Sequence, residues 1–90
     1  MNPTAIGAVQ PRTRVSVCGV VVAVRNSTRP WVRTEADLQD GTGTITLRFV
    51  GRALVPGIAT GARLLAHGTA ASDRGALVIL NPVYSFVTEG

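Results

Sequence analysis

The chain has 90 residues, 46% of them hydrophobic and 16% charged, and a formal net charge of +4. Such a chain forms one small folded domain with a modest core, and it is too apolar and too sparsely charged for a disordered tail. One cysteine excludes an internal disulfide and a cysteine metal cage, and the longest apolar run, residues 15–24, falls short of the roughly 20 residues that a membrane helix needs. The first ten residues lack the charged-then-apolar pattern of a secretory start. Cys18 sits among valines and is expected to pack as a small hydrophobe in a reduced, cytoplasmic setting.

Every basic residue is arginine, which suits phosphate recognition but also follows from a coding bias toward Arg, Ala, Gly and Val. The distribution of charge is more informative than its total. Residues 1–34 carry Arg12, Arg14, Arg25, Arg29 and Arg33 with no acid, a net of +5. Residues 35–90 carry Arg48, Arg52, Arg63 and Arg74 against Glu35, Asp37, Asp40, Asp73 and Glu89, a net of −1.

In chain order, residues 1–12 have no hydrophobic period and are broken by Pro3, Gly7 and Pro11, so they read as a flexible N-terminal arm. A domain is expected over residues 13–87. Its first strand runs from Thr13 to Arg25, with valines on both faces and Gly19 marking a bend or bulge. Residues 26–30 form a turn-rich loop. A second strand alternates Val32, Thr34, Ala36 and Leu38 inward with Arg33, Glu35, Asp37 and Gln39 outward. Asp40-Gly41-Thr42-Gly43 is a hairpin connection to a third strand, with Ile45, Leu47 and Phe49 inward and Thr44, Thr46, Arg48 and Val50 outward. Pro56-Gly57 interrupts any helix between residues 51 and 61, leaving a turn or short 3₁₀ segment whose apolar residues cap the core. Strands over Arg63–Ala71 and Ala76–Leu80 follow, joined by Ser72-Asp73-Arg74-Gly75, and Asn81-Pro82 ends the ladder before a short extension over 83–87. Five short strands with little helix predict an all-β domain, and closure into a barrel removes the exposed edges.

The runs LQDGTGTITLRFVGR, PGI, GARLLAHGTA and GALVILNPVY resemble the OB-fold nucleic-acid-binding domain family. They are similar in particular to short OB domains of high-GC bacteria and to the wedge domain of RecG-type DNA helicases; anticodon-binding OB domains are more distantly similar. The resemblance spans about residues 13–87. It implies a five-stranded Greek-key barrel that binds single-stranded or branched nucleic acid across strands two and three and the loops after strands one and four. On this chain that face holds Arg33, Glu35, Asp37, Gln39, Thr44, Thr46 and Arg48, flanked by Arg29, Trp31 and Arg74. The face lacks the aromatic residues on which bases stack, and its two acids offset its two arginines.

Among the candidate residues, Trp31 is either a stacking platform between phosphate-binding arginines or a cover for the barrel mouth. Arg25, Arg29 and Arg33 form a basic rim or an ordinary solvated surface. Arg48 faces outward near the end of its strand, and Arg74 lies exposed in a turn; both are candidates for phosphate contact. His67, the sole histidine, is expected to face outward without the neighbours a metal site requires. Glu35 and Asp37 read as part of the polar strand face. No catalytic constellation, phosphate-cradling glycine motif, metal site or cofactor site is expected. The leading expectation is therefore a non-enzymatic module binding nucleic acid, DNA before RNA, chiefly through phosphates. The alternative is a protein-interaction barrel within a larger assembly.

Overall fold

In a computed structural model, which describes residues 2–88, the chain folds into six strands and one 3₁₀ turn. The strands are β1 (Arg14–Ser27), β2 (Arg33–Gln39), β3 (Thr44–Val50), β4 (Arg63–Asp73), β5 (Ala76–Leu80) and β6 (Val83–Phe86). Their order is β1-β2-β3-β5-β4-β6, and a further β1–β4 pairing closes the first five into a barrel. All neighbours are antiparallel except β3 and β5. The sixth strand continues β5 beyond Asn81-Pro82 and pairs with the first half of β4.

Alternation in the sequence becomes the wall of this barrel. Thr34, Ala36 and Leu38 of β2 and Ile45, Leu47 and Phe49 of β3 are buried, while the residues between them face outward. Val17 and Val21 of β1, Leu64, Ala66 and Ala70 of β4, and Ile79 of β5 complete the inner layer. Each large aliphatic side chain removed from water here contributes roughly 1.5–3 kcal/mol. Tyr84 meets Phe49 edge to face, with centroids 5.5 Å apart, and Phe86 meets Tyr84 at 5.9 Å. Val32, expected inward, lies one residue before β2 and is exposed at the end of the barrel, where its carbonyl accepts from the Gly51 N–H at 2.7 Å, one rung beyond the Arg33–Val50 pair.

One long strand serves both halves of the barrel. Residues 14–20 of β1 pair with β4, whereas residues 20–27 pair with β2. The bulge that redirects the strand lies between Val21 and Ala23, not at Gly19. Gly19 has a different role: a Cβ there would come within 2.5 Å of the Gln39 carbonyl oxygen, so its absence lets β1 and β2 approach.

The N-terminal segment, which sequence alone presents as a flexible arm, packs against the barrel; Met1 at its start lies outside the described residues. Its 3₁₀ turn, Ile6–Ala8, buries Ile6 to 1% exposure, and Val9 is buried beside it. Asp40 and Thr42 of the β2–β3 hairpin hold this turn in place. The N–H of Ile6 donates to Asp40 Oδ2 and that of Gly7 to Thr42 Oγ1, each at 2.9 Å. Asp40 Oδ1 also accepts from the Thr42 N–H and hydroxyl, at 2.9 and 2.6 Å. These donors, the Ile6 N–H first, push the Asp40 pKa down to about 2. A Cβ on Gly7 would collide with the Thr42 carbonyl. Further along, the segment is pinned by N–H donation from Thr4 to Ser16 and from Arg12 to Ala70. The 51–62 connection is built from turns, and it sends Val55 into the core as expected.

Candidate functional site

The outward side chains of β2 and β3 form an ordered network of charges. Glu35 and Arg48 are directly opposed in the β2–β3 register, and Arg48 Nε donates to Glu35 Oε2 at 2.9 Å. Arg33 Nε lies 3.6 Å from the other oxygen of the same carboxylate. Arg48 Nη2 also donates to Asp73 at 2.9 Å, which ties the β4–β5 turn to β3. Arg25 makes a two-pronged contact with Asp37, at 2.8 and 2.9 Å, and Thr46 donates its hydroxyl to the same carboxylate. The Arg25 pKa is raised and the Asp37 pKa lowered, each chiefly through this shared hydrogen bonding. The Arg48 pKa is likewise raised, first by Glu35 and then by Asp73.

Beside this network lies a cleft of about 410 Å³ lined by Pro30, Trp31, Arg33, Arg48, Asp73 and Arg74. It forms where the loop after β1 meets the turn between β4 and β5. The Trp31 side chain stands 54% exposed in that loop. Arg33 supports it from below: its Cζ lies 5.9 Å from the indole centroid, and its Nη1 donates to the Arg29 carbonyl at 3.0 Å. Thr34 anchors the far side, its buried hydroxyl lying 2.8 Å from both Asn26 Oδ1 and the Arg52 carbonyl. The half-exposed indole thus lines the cleft from a loop held by Arg33.

Four of the six residues singled out from sequence converge on this cleft, namely Trp31, Arg33, Arg48 and Arg74. Their electrostatic states differ. Arg33 and Arg48 are engaged by carboxylates, whereas Arg74 has no ion pair among the described residues. Arg25 is drawn away from the cleft by Asp37. Arg29 does not line it, although its carbonyl helps to position Arg33. Asp73 belongs to the cleft and was not singled out from sequence. Its only local signal is its place in a turn, and its partner Arg48 stands 25 residues away.

A second cleft, of about 290 Å³, lies on the β1–β4 wall between Asn2, Thr4, Arg14, Val15, Ser16 and His67. His67 faces outward as expected, and Ser16, its partner in register, holds Nδ1 at 2.6 Å from Oγ. Among the described residues no group of three or more His, Cys, Asp or Glu side chains could hold a metal ion, and no helix is long and apolar enough to cross a membrane.

No protein-family profile and no curated protein matches this chain. Among solved structures it is similar to a chain of a replication protein A heterotrimer bound to single-stranded DNA, with a TM-score of 0.68 at 18% sequence identity. The match covers 93% of this chain and 64% of that one, so this chain spans less than two thirds of its neighbour's length. Together with the closed five-stranded sheet, the likeness identifies an OB fold.

Proposed function

We propose that this barrel is a non-catalytic module that binds single-stranded or branched nucleic acid, DNA before RNA, at the Trp31 cleft. The observation that carries the reading is the half-exposed indole braced beside Arg74 and Arg48 at the junction of two loops. An unstacked base laid on the indole contributes roughly 1–3 kcal/mol, and a neighbouring phosphate finds the guanidinium of Arg74. The structural neighbour was determined with single-stranded DNA, which supports DNA as the ligand. The sequence likeness to helicase wedge domains supports including branched DNA among the substrates.

The carboxylates limit how far such a ligand spreads. Arg25, Arg33 and Arg48 each face an acid on this wall, so a phosphate reaching one of them must compete with Asp37, Glu35 or Asp73. The site therefore favours contact with one or two nucleotides over continuous tracking of a strand. Affinity is expected to be modest and to fall with salt, with a slope of log K against log salt near −0.7 for each phosphate engaged on a single strand.

Trp31 is the sole tryptophan, so its fluorescence reports on the site directly. Titration with single-stranded DNA, forked DNA and RNA at several salt concentrations should quench it, with the effect fading as salt rises. Absence of quenching at low salt by all three, with Arg74→Ala equally silent, would refute the proposal.

A further inference from the structure

The cleft on the β1–β4 wall is separate from the Trp31 site, and unlike that site it is lined by no carboxylate among the described residues. Among the described residues there are four acids, and each is committed elsewhere. Glu35 and Asp73 hold Arg48, Asp37 holds Arg25, and Asp40 holds the Ile6 N–H. None of them lines the second cleft, whose one charged residue is Arg14. Arg14 itself makes no ion pair among the described residues. Positive charge that is neutralised on the β2–β3 face is left uncompensated here.

Apart from Val15, the remaining lining side chains are polar. Ser16 and His67 are locked together at 2.6 Å across the β1–β4 ladder, which fixes the imidazole ring. When Ser16 donates to Nδ1, the neutral ring keeps its proton on Nε2 and can give it to an anion. Thr4 is held at the rim because its N–H donates to the Ser16 carbonyl at 2.7 Å, leaving its hydroxyl free of that bond. The Asn2 amide completes the lining. From the elements packed around His67, namely β1, β4, β6 and the N-terminal segment, Arg14 is the one charged group among the described residues that reaches the cleft.

We infer that this cleft is a second anion site that binds a phosphate group, with the Arg14 guanidinium as the charge partner, His67 Nε2–H and the Thr4 hydroxyl as hydrogen-bond donors, and Ser16 orienting the His67 ring. A forked guanidinium matches phosphate oxygens in geometry as well as charge. The docked N-terminal segment supplies part of the wall through Asn2 and Thr4. This function does not depend on Trp31.

Because His67 is the sole histidine, its ring signals in a proton–carbon NMR spectrum are an unambiguous probe. Inorganic phosphate titrated into the full chain at constant ionic strength should shift them saturably, whereas chloride at the same ionic strength should not. Arg14→Gln should weaken the response about tenfold, the loss of one charge-assisted contact, and Arg14→Lys should restore part of it. Trp31→Ala should leave it intact. A short oligothymidylate added to Trp31→Ala separates the two sources of phosphate. A shift by the oligonucleotide marks a backbone phosphate, and a shift by inorganic phosphate alone marks a free one; either supports the site. No saturable shift with either ligand, an equal shift with chloride, or an undiminished response in Arg14→Gln would overturn it.

Discussion

Replacing Asp40 with asparagine tests how firmly the N-terminal segment is attached. The carboxylate accepts the N–H of Ile6 and both the N–H and the hydroxyl of Thr42, and its pKa falls from 3.8 to about 2. At 1.36 kcal/mol per pH unit, that drop corresponds to at most about 2.5 kcal/mol of preferential stabilisation of the charged form. The group lies at the surface, where solvent screening reduces the figure to about 1 kcal/mol. The sign follows from linkage. A carboxylate with a depressed folded-state pKa contributes its stability fully above the unfolded value and loses it as pH falls through the folded one. Urea denaturation of the wild type and of Asp40→Asn, repeated from neutral pH to about pH 2, should therefore show a difference of about 1 kcal/mol that shrinks below pH 3.8. In thermal melts at neutral pH the variant should lose about 4–8 °C, the shift expected for about 1 kcal/mol in a domain of this size. The other carboxylates titrate in both proteins and cancel in the difference. A neutral-pH difference near zero, or one that persists undiminished at the lowest pH, would refute the clamp.

Ile6→Ala should cost about 2–5 kcal/mol in the same denaturation assay, because Ile6 is buried in the common core; a mobile segment would show no loss. Trp31→Ala should weaken single-stranded DNA binding by about 1–3 kcal/mol, measured by anisotropy of a labelled oligonucleotide. Glu35→Gln should have the opposite effect, tightening binding several-fold and steepening the salt slope by about 0.7 as Arg33 and Arg48 become available to one more phosphate. Unchanged binding in this variant would show that these arginines do not contact the ligand. Arg25→Ala should weaken binding less than Arg74→Ala, since Arg25 is held by Asp37 outside the cleft.

Period-two alternation over residues 33–39 and 44–50, with turn residues between, was enough to assign those strands and which side chains face out. That information is local: each strand has to bury one face whatever its neighbours are. The outward placement of Arg33 and Arg48 follows from it, as that of His67 follows from the alternation within its own strand. The state of those side chains does not. Arg48 meets Glu35 across the hairpin register, but its second partner, Asp73 at the end of β4, reaches it only because β3 and β5 pair in parallel and bring the β4–β5 connection over the face. The Ser16–His67 pair likewise exists only because β1 and β4 close the barrel in one register, across 51 residues of sequence.

The N-terminal segment makes the same point from the other side. One isoleucine among prolines, glycine and polar residues has no period, so sequence presents a loose arm. Tertiary structure gives Ile6 a cavity to fill and gives its backbone N–H a carboxylate acceptor 34 residues away. Local pattern determines which surface a residue occupies, because burial is decided strand by strand. Long-range closure determines which charges on that surface remain unpaired, because ion pairs depend on the positions of two residues at once. For this protein the second decision leaves Trp31 beside Arg74 and, among the described residues, Arg14 without an acid.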